Sequence, residues 1–487
     1  MTKLNEMTIV EAARALRARA CTVRELWDAC SEAIKTKNPE LNAFLEIFSA
    51  GGGSASGGDA IIAAQKRIDA GDESLLCGIP LAIKDNILIE GKIVSAASKM
   101  LEHYRATYDA TVIKKLKNAG ALFLGRTNMD EFALGGSTEN SAFGVTKNPH
   151  DTTRVSGGTS GGSAAAVAAH MAIAALGTDT GGSVRNPASY CGVVGLKPTY
   201  GAVSRSGVIA AASSFDQVGP ITKTVEDARI LFDAIRGNDS LDATTFFDTQ
   251  NIPRIAKEPL RIGVLRSLVM KDGIDADMRT SFDATLEKLK DAGHTLVDID
   301  IPLASPALAA YYIINFAEVS ANLARYDGMR YGHAASAGGG SASGGRGNTL
   351  LDDYINARTE GFGAETRRRI LLGTFVLSSG YIDAYYRKAD AARAALRREF
   401  EKSFESVDVI ATPTMPTPAF TIGEKSNPLA MYLEDIFTIT ANLTGMPALS
   451  VPMGSVLRGG KKLPIGIHFT APHQAENVLF ALGAEVY

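Results

Sequence analysis

Over the first forty residues apolar positions return at helical spacing and predict two amphipathic helices. Each opens on a capping box, Thr8-Ile-Val-Glu11 and Thr22-Val-Arg-Glu25, where the threonine hydroxyl and the glutamate carboxylate each satisfy an orphan backbone N–H. Further on, short apolar runs bounded by glycine or charge predict buried strands over 78–83 and 121–124, with a helix over 108–118 between them. The logic repeats as a strand over 261–265, a helix over 275–292 and an alternating strand over 295–301. Strands over 407–411, 448–452 and 464–469 follow, and a helical stretch around 305–400 predicts a lobe over one side. Such alternation predicts an α/β fold, a sheet covered by helices on both faces. No break in composition divides the chain, so one domain over 1–487 is expected.

One pattern stands outside this rhythm. Gly-Gly-Gly-Ser-Ala-Ser-Gly-Gly occupies 51–58 and, letter for letter, 338–345. It has no side chains with which to build a core and reads as flexible linker. Identical copies in two unrelated contexts look like engineered replacements of two surface loops.

Composition narrows the class. Hydrophobic residues make up 45% and charged ones 21%, as in soluble globular proteins. A net charge of −3 gives no case for direct nucleic-acid binding, which needs a basic face. The four cysteines, Cys21, Cys30, Cys77 and Cys191, form no CxxC pair and read as free buried thiols in a reducing cytoplasm. No run approaches the ~18 apolar residues of a membrane span. Ala164–Leu176 is the longest, and it contains His170, expected to be a satisfied core histidine. A cytoplasmic protein without a membrane partner is expected.

Candidate chemistry concentrates in 154–200. Two loops, Gly157-Gly-Thr-Ser-Gly-Gly162 and Gly177-Thr-Asp-Thr-Gly-Gly-Ser183, flank a small-residue segment, 163–176, read as a buried helix. Their N–H groups suit an anion or oxyanion, and both carry hydroxyls. Neither has the lysine of a phosphate-binding loop. Gly158-Thr-Ser-Gly-Gly162 matches the nucleophile elbow GxSxG only in letters, because the polar 151–155 supplies no obvious preceding strand. Two readings stay open: a pair of tight structural turns, or a nucleophilic serine on one loop with a relaying hydroxyl on the other. The seven histidines show no spacing that ties one to a serine, and no metal or cofactor constellation appears.

The segment 157–200, with Lys84 upstream in Gly78-Ile-Pro-Leu-Ala-Ile-Lys-Asp-Asn86, resembles the amidase signature family. That resemblance covers nearly the whole chain and implies a mixed, mostly parallel sheet sandwiched between helices. It also implies a catalytic triad of Ser183 as nucleophile, Thr159 as relay on a cis peptide and Lys84 as base. The N–H groups of Thr180, Gly181 and Gly182 would form the oxyanion hole. One position departs: the family's first loop carries serine where this chain has Thr159. If Thr159 relays, its hydroxyl is expected within reach of both Lys84 and Ser183, and that of Ser160 is not.

Within the family the likeness is greatest to the A subunits of tRNA-dependent amidotransferases. It is carried by Arg358-Thr-Glu-Gly-Phe-Gly363, 367–373, 381–386 and Ala430-Met-Tyr-Leu-Glu-Asp-Ile-Phe-Thr438. The likeness implies recognition of free glutamine by Arg369 (or Arg368, one register away), Asp435 and Tyr311. It further implies a heterotrimer with B and C subunits. Ammonia released here would serve the B subunit, which, with help from the small C subunit, amidates Glu-tRNA(Gln) or Asp-tRNA(Asn). ATP and Mg²⁺ would be used by the partner, none by this chain, and tRNA would be met only through the complex. The alternatives are a free-standing amidase of the same family acting on another small amide, and a non-catalytic scaffold.

Overall fold

A computed structural model describes residues 3–49, 57–246, 259–333 and 349–486. Both capping boxes form, and behind them run the helices Ile9–Arg17 and Val23–Leu41 with their apolar faces buried. The octapeptide at 338–345 and positions 51–56 of the first copy lie outside the described residues; Gly57 and Gly58 open the helix Gly57–Asp69.

Among the described residues thirteen strands follow one another along the chain. The first eight are β1 (Phe44–Ile47), β2 (Pro80–Lys84), β3 (Leu122–Thr127), β4 (Lys147–Asn148), β5 (Asp151–Val155), β6 (Ala174–Asp179), β7 (Val194–Lys197) and β8 (Gln217–Thr222). The rest are β9 (Arg261–Val264), β10 (Thr295–Asp298), β11 (Val409–Pro413), β12 (Ala448–Arg458) and β13 (Lys461–Thr470). Eleven of them form one sheet in the order β1-β3-β2-β6-β8-β7-β12-β13-β11-β9-β10, while β4 and β5 make a separate ribbon. Parallel pairing joins β3-β2-β6 on one flank and β11-β9-β10 on the other. The strands between those blocks are antiparallel, so the sheet is mixed and its expected parallel character lies in the two flanks. Every residue of β2, β6, β8 and β11 is buried, which requires cover on both faces, and helices flank the sheet.

Three sequence readings change. The helix expected over 163–176 is shorter, Gly161–Ala168, and 174–179 is β6. A run of small apolar residues fits a buried helix and a buried strand equally, and here the slot between β2 and β8 decides. His170 therefore lies past the helix end, half-buried in a left-handed conformation, with its Nδ1 unpartnered, rather than satisfied in a core helix. The polar 151–155 is a strand after all, but in the outlying ribbon and five residues short of the helix Gly161–Ala168. The four cysteines are free and buried. Among the described residues no helix is long and apolar enough to cross a membrane.

In the helical lobe Ala307–Leu323 packs on Ala364–Leu377 and on Tyr386–Ser403. Gly373 allows the first contact: a Cβ there would lie 1.9 Å from the carbonyl oxygen of Phe316.

Candidate active site

β2 and β6 are parallel neighbours, so their carboxyl ends open on the same edge of the sheet. Lys84 is the last residue of β2 and Asp179 the last of β6. Lys84 is fully buried, and its Nζ lies 2.7 Å from Thr159 Oγ1, 2.8 Å from Ser160 Oγ and 2.9 Å from Thr178 Oγ1. Burial disfavours the ammonium and brings Lys84 down to about 7, although the carboxylates of Asp130, Asp179 and Asp216 pull the other way.

The peptide bond before Thr159 is cis, as the resemblance implies. The geometry expected of the relay is only half met. Thr159 reaches Lys84, but among the described residues no hydrogen bond joins its hydroxyl to Ser183, and Ser160 also reaches Lys84. The two hydroxyls nevertheless differ. Ser160 Oγ donates to the carbonyl of Thr178 at 3.1 Å and accepts the Thr178 N–H at 3.3 Å, so its proton and one of its two lone pairs are already committed.

Ser183 follows β6 on a loop tied down by its own flanks. Arg185 and Asp179 form a buried two-pronged ion pair at 2.9 and 3.0 Å, and Arg185 also donates to Thr438 O and Asn442 Oδ1. That guanidinium, with the Asn442 amide, holds the Asp179 carboxyl well below the usual carboxylate range despite burial. Asp179 also accepts the N–H of Gly182 at 2.9 Å and of Val184 at 3.1 Å. This corrects the expected oxyanion hole. Gly182 spends its N–H inside the loop, whereas among the described residues no acceptor stands against the N–H of Thr180 or Gly181. Gly182 has φ +132°, and a Cβ there would meet Thr438 Oγ1 at 2.4 Å, so a side chain fits neither the backbone nor the space.

Across the loop sits a second cluster. A Cβ on Gly181 would lie 2.2 Å from Tyr311 Oη, which puts Tyr311 directly over it. Thr438 Oγ1 donates to Gly181 O at 2.6 Å, joining the loop to the segment that carries Asp435. Asp435 accepts from Tyr312 Oη at 2.6 Å, and burial pushes it up to about 7. Arg369 is buried, with Glu365 Oε1 at 2.8 Å, Asn315 Oδ1 at 3.2 Å, and the rings of Tyr312, Phe316 and Tyr432 around its guanidinium. Arg368 points outward and pairs with Glu365, so of the two registers Arg369 faces inward.

The amidase family model matches residues 25–480. This chain belongs to the amidase family. The A subunit of the glutamyl-tRNA(Gln) amidotransferase of Thermoanaerobacter pseudethanolicus is 47% identical over 98% of this chain and 96% of its own length. That of Koribacter versatilis is 45% identical over 99% and 98%. The crystal structure of the corresponding Thermotoga maritima protein superposes with a TM-score of 0.78 at 39% identity, covering 99% of this chain and 94% of that one.

In this amidase several site residues carry no sequence signal of their own. Thr178 contacts the Lys84 amine and takes a 3.0 Å hydrogen bond from Asn86 Nδ2. Asp130, pushed up to about 6 by burial, accepts from the N–H groups of Thr138 and Asn140. A Cβ on Gly158 would lie 2.4 Å from its Oδ2. Asp179 and Arg185 bracket the Gly-Gly-Ser motif six residues apart, and that spacing was the one available sign of the brace.

Proposed function

We propose that the chain is a glutaminase, the A subunit of a glutamyl-tRNA(Gln) amidotransferase, releasing ammonia for a B subunit in a heterotrimer that a C subunit completes. The observation that carries this reading is the buried pair of unlike charges, Arg369 and Asp435, set beside the Gly181–Ser183 loop by Tyr311 and Thr438. Free glutamine presents a carboxylate and an ammonium at one end and its amide at the other. An uncharged amide would use neither charge, leaving Arg369 to Glu365 and Asp435 to the Tyr312 hydroxyl.

In the mechanism Lys84 enters as the neutral amine, its lone pair directed at the Thr159 hydroxyl. Ser183 Oγ attacks the side-chain amide carbon while its proton passes to Thr159 and the Thr159 proton passes to Lys84. The oxyanion that forms takes the N–H groups of Thr180 and Gly181, each such donor worth about 2.7–4 kcal/mol of barrier. The relay then returns the proton to the amide nitrogen, ammonia leaves, and water cleaves the acyl-enzyme to glutamate by the same route. Thr159 and Ser183 close their hydrogen bond when substrate fills the site, as catalytic contacts commonly do. ATP and Mg²⁺ serve the partner's step, the acceptor is Glu-tRNA(Gln) or Asp-tRNA(Asn), and the tRNA is held by the complex in the cytoplasm. The fit of relatives at 45–47% identity along nearly their whole length supports this reading.

The test is ammonia release from glutamine by the chain alone and with the B subunit added. Ser183→Ala should abolish it while circular dichroism stays native. Turnover surviving in that variant would dismiss Ser183 as the nucleophile.

A further inference from the structure

Asp130 and Glu131 are adjacent buried carboxylates with separate tasks. Asp130 faces the first glycine-rich loop. Glu131 faces the helical lobe, 3% exposed, and gathers donors from two distant segments. It accepts from Ser98 Oγ at 2.5 Å, from the N–H of Gly363 at 2.8 Å and from the hydroxyl of Thr366. Gly363 is the N-cap of the helix Ala364–Leu377 and has no side chain with which to cap it. A capping box would place an acidic group at the third helical position to take the N-cap N–H. That position here is Thr366, and its hydroxyl joins the N-cap N–H on a carboxylate 232 residues away in sequence. The charge also lies at the end of the helix dipole that favours anions. Among the described residues no arginine or lysine forms an ion pair with Glu131, so these donors and the helix terminus hold it, with Arg367 contributing at longer range.

The same helix carries Glu365 and Arg369 on its first two turns. We propose that Glu131 is a positioning residue for glutamine recognition: it fixes the start of this helix, and through it the place where Arg369 meets the substrate carboxylate. The inference rests on the reading of Arg369 given above. Glu131 touches no reacting atom, so its loss acts on KM and leaves kcat nearly alone. An amide that lacks the α-carboxylate, 4-aminobutanamide, is indifferent to it.

Glu131→Gln is the conservative variant. Its carbonyl oxygen still takes Gly363 and Thr366, and Ser98 turns to donate to Gly361 O, 3.1 Å away, while accepting the new amide. Glu131→Met fills the space and accepts nothing.

Kinetics on glutamine and on 4-aminobutanamide decide the matter. Glu131→Met should raise KM for glutamine about 10-fold or more, the scale of a misplaced charged contact, with kcat within about twofold. KM for 4-aminobutanamide should not move, and Glu131→Gln should recover most of the loss. Should Glu131→Met fail to fold, Thr366→Val removes one donor and Thr366→Ser restores it, with the same split expected on a smaller scale. Equal losses on both substrates, or a fall in kcat alone, overturn the proposal. Arg369→Ala separates the two layers. If it too affects both substrates equally, the recognition role of Arg369 fails; if it discriminates and the Glu131 variants do not, only the positioning role fails.

Discussion

Lys84 shows what one residue owes to its surroundings. A lysine in water holds its proton to about pH 10.4. Full burial against three hydroxyls brings this one to about 7, so an unprotonated amine exists at neutral pH. As the proposed base, Lys84 works only unprotonated, and kcat/KM should therefore rise with pH through about 7 and level off above it. In the proposed recognition of glutamine, Asp435, also near 7, must be ionised to meet the substrate ammonium, so its titration acts in the same direction. Below pH 7 the profile for glutamine should then fall about twice as steeply as that for an amide lacking the α-amino group. Parallel profiles would remove Asp435 from recognition. Lys84→Arg should stay inactive, because arginine keeps its proton. The relay is testable at the same scale. Thr159→Val keeps the shape without the hydroxyl and should cost on the order of 10²–10⁴ in kcat, while Thr159→Ser keeps most activity. The Thr159 hydroxyl, whose proton is not given to a backbone carbonyl as that of Ser160 is, favours it over Ser160; an active Thr159→Val beside a dead Ser160→Ala would reverse that choice.

At the scale of elements the helix Ala364–Leu377 does two things at once. It supplies Arg369 and it packs on Ala307–Leu323, which supplies Tyr311 and Tyr312. The two approach closely because residue 373 is glycine. A Cβ there meets backbone rather than a movable side chain, so Gly373→Ala should force the helices apart. Overpacking of this kind costs about 1–3 kcal/mol. Thermal unfolding should report that loss, and KM for glutamine should rise with it, since Arg369 rides on the displaced helix. An unchanged melting temperature with native KM would mean that the contact is loose. Sequence patterning predicts a helical stretch around 305–400 but neither these two helices nor their closeness, because a glycine inside a helix looks the same whether it is tolerated or required.

Across the whole molecule the sheet decides where chemistry can occur. Its parallel flank β3-β2-β6 brings the ends of β2 and β6 side by side, although Lys84 and Ser183 are nearly one hundred positions apart in the chain. The loop after β3 brings Asp130 and Glu131 to the same edge, one carboxylate toward each half of the site. Much of this was legible in advance. Lys84, Thr159, Ser183 and the glycine-rich loops sit in local motifs, which is where the resemblance to the amidase family singles them out. So do the two capping boxes, whose hydrogen bonds span three residues. What sequence left open is what depends on distant neighbours. That β6 is a strand follows from the slot between β2 and β8. That Arg369 rather than Arg368 faces inward follows from the lobe packed around it. That the Gly182 N–H is taken follows from Asp179 folding back over its own loop, and that Thr159 has a proton to move follows from Ser160 having spent its own on Thr178. Local pattern fixes which groups are present; burial and the allocation of each donor to one acceptor are properties of the packed chain, and those decided the lowered pKa of Lys84 and the hydroxyl and N–H groups left free beside it.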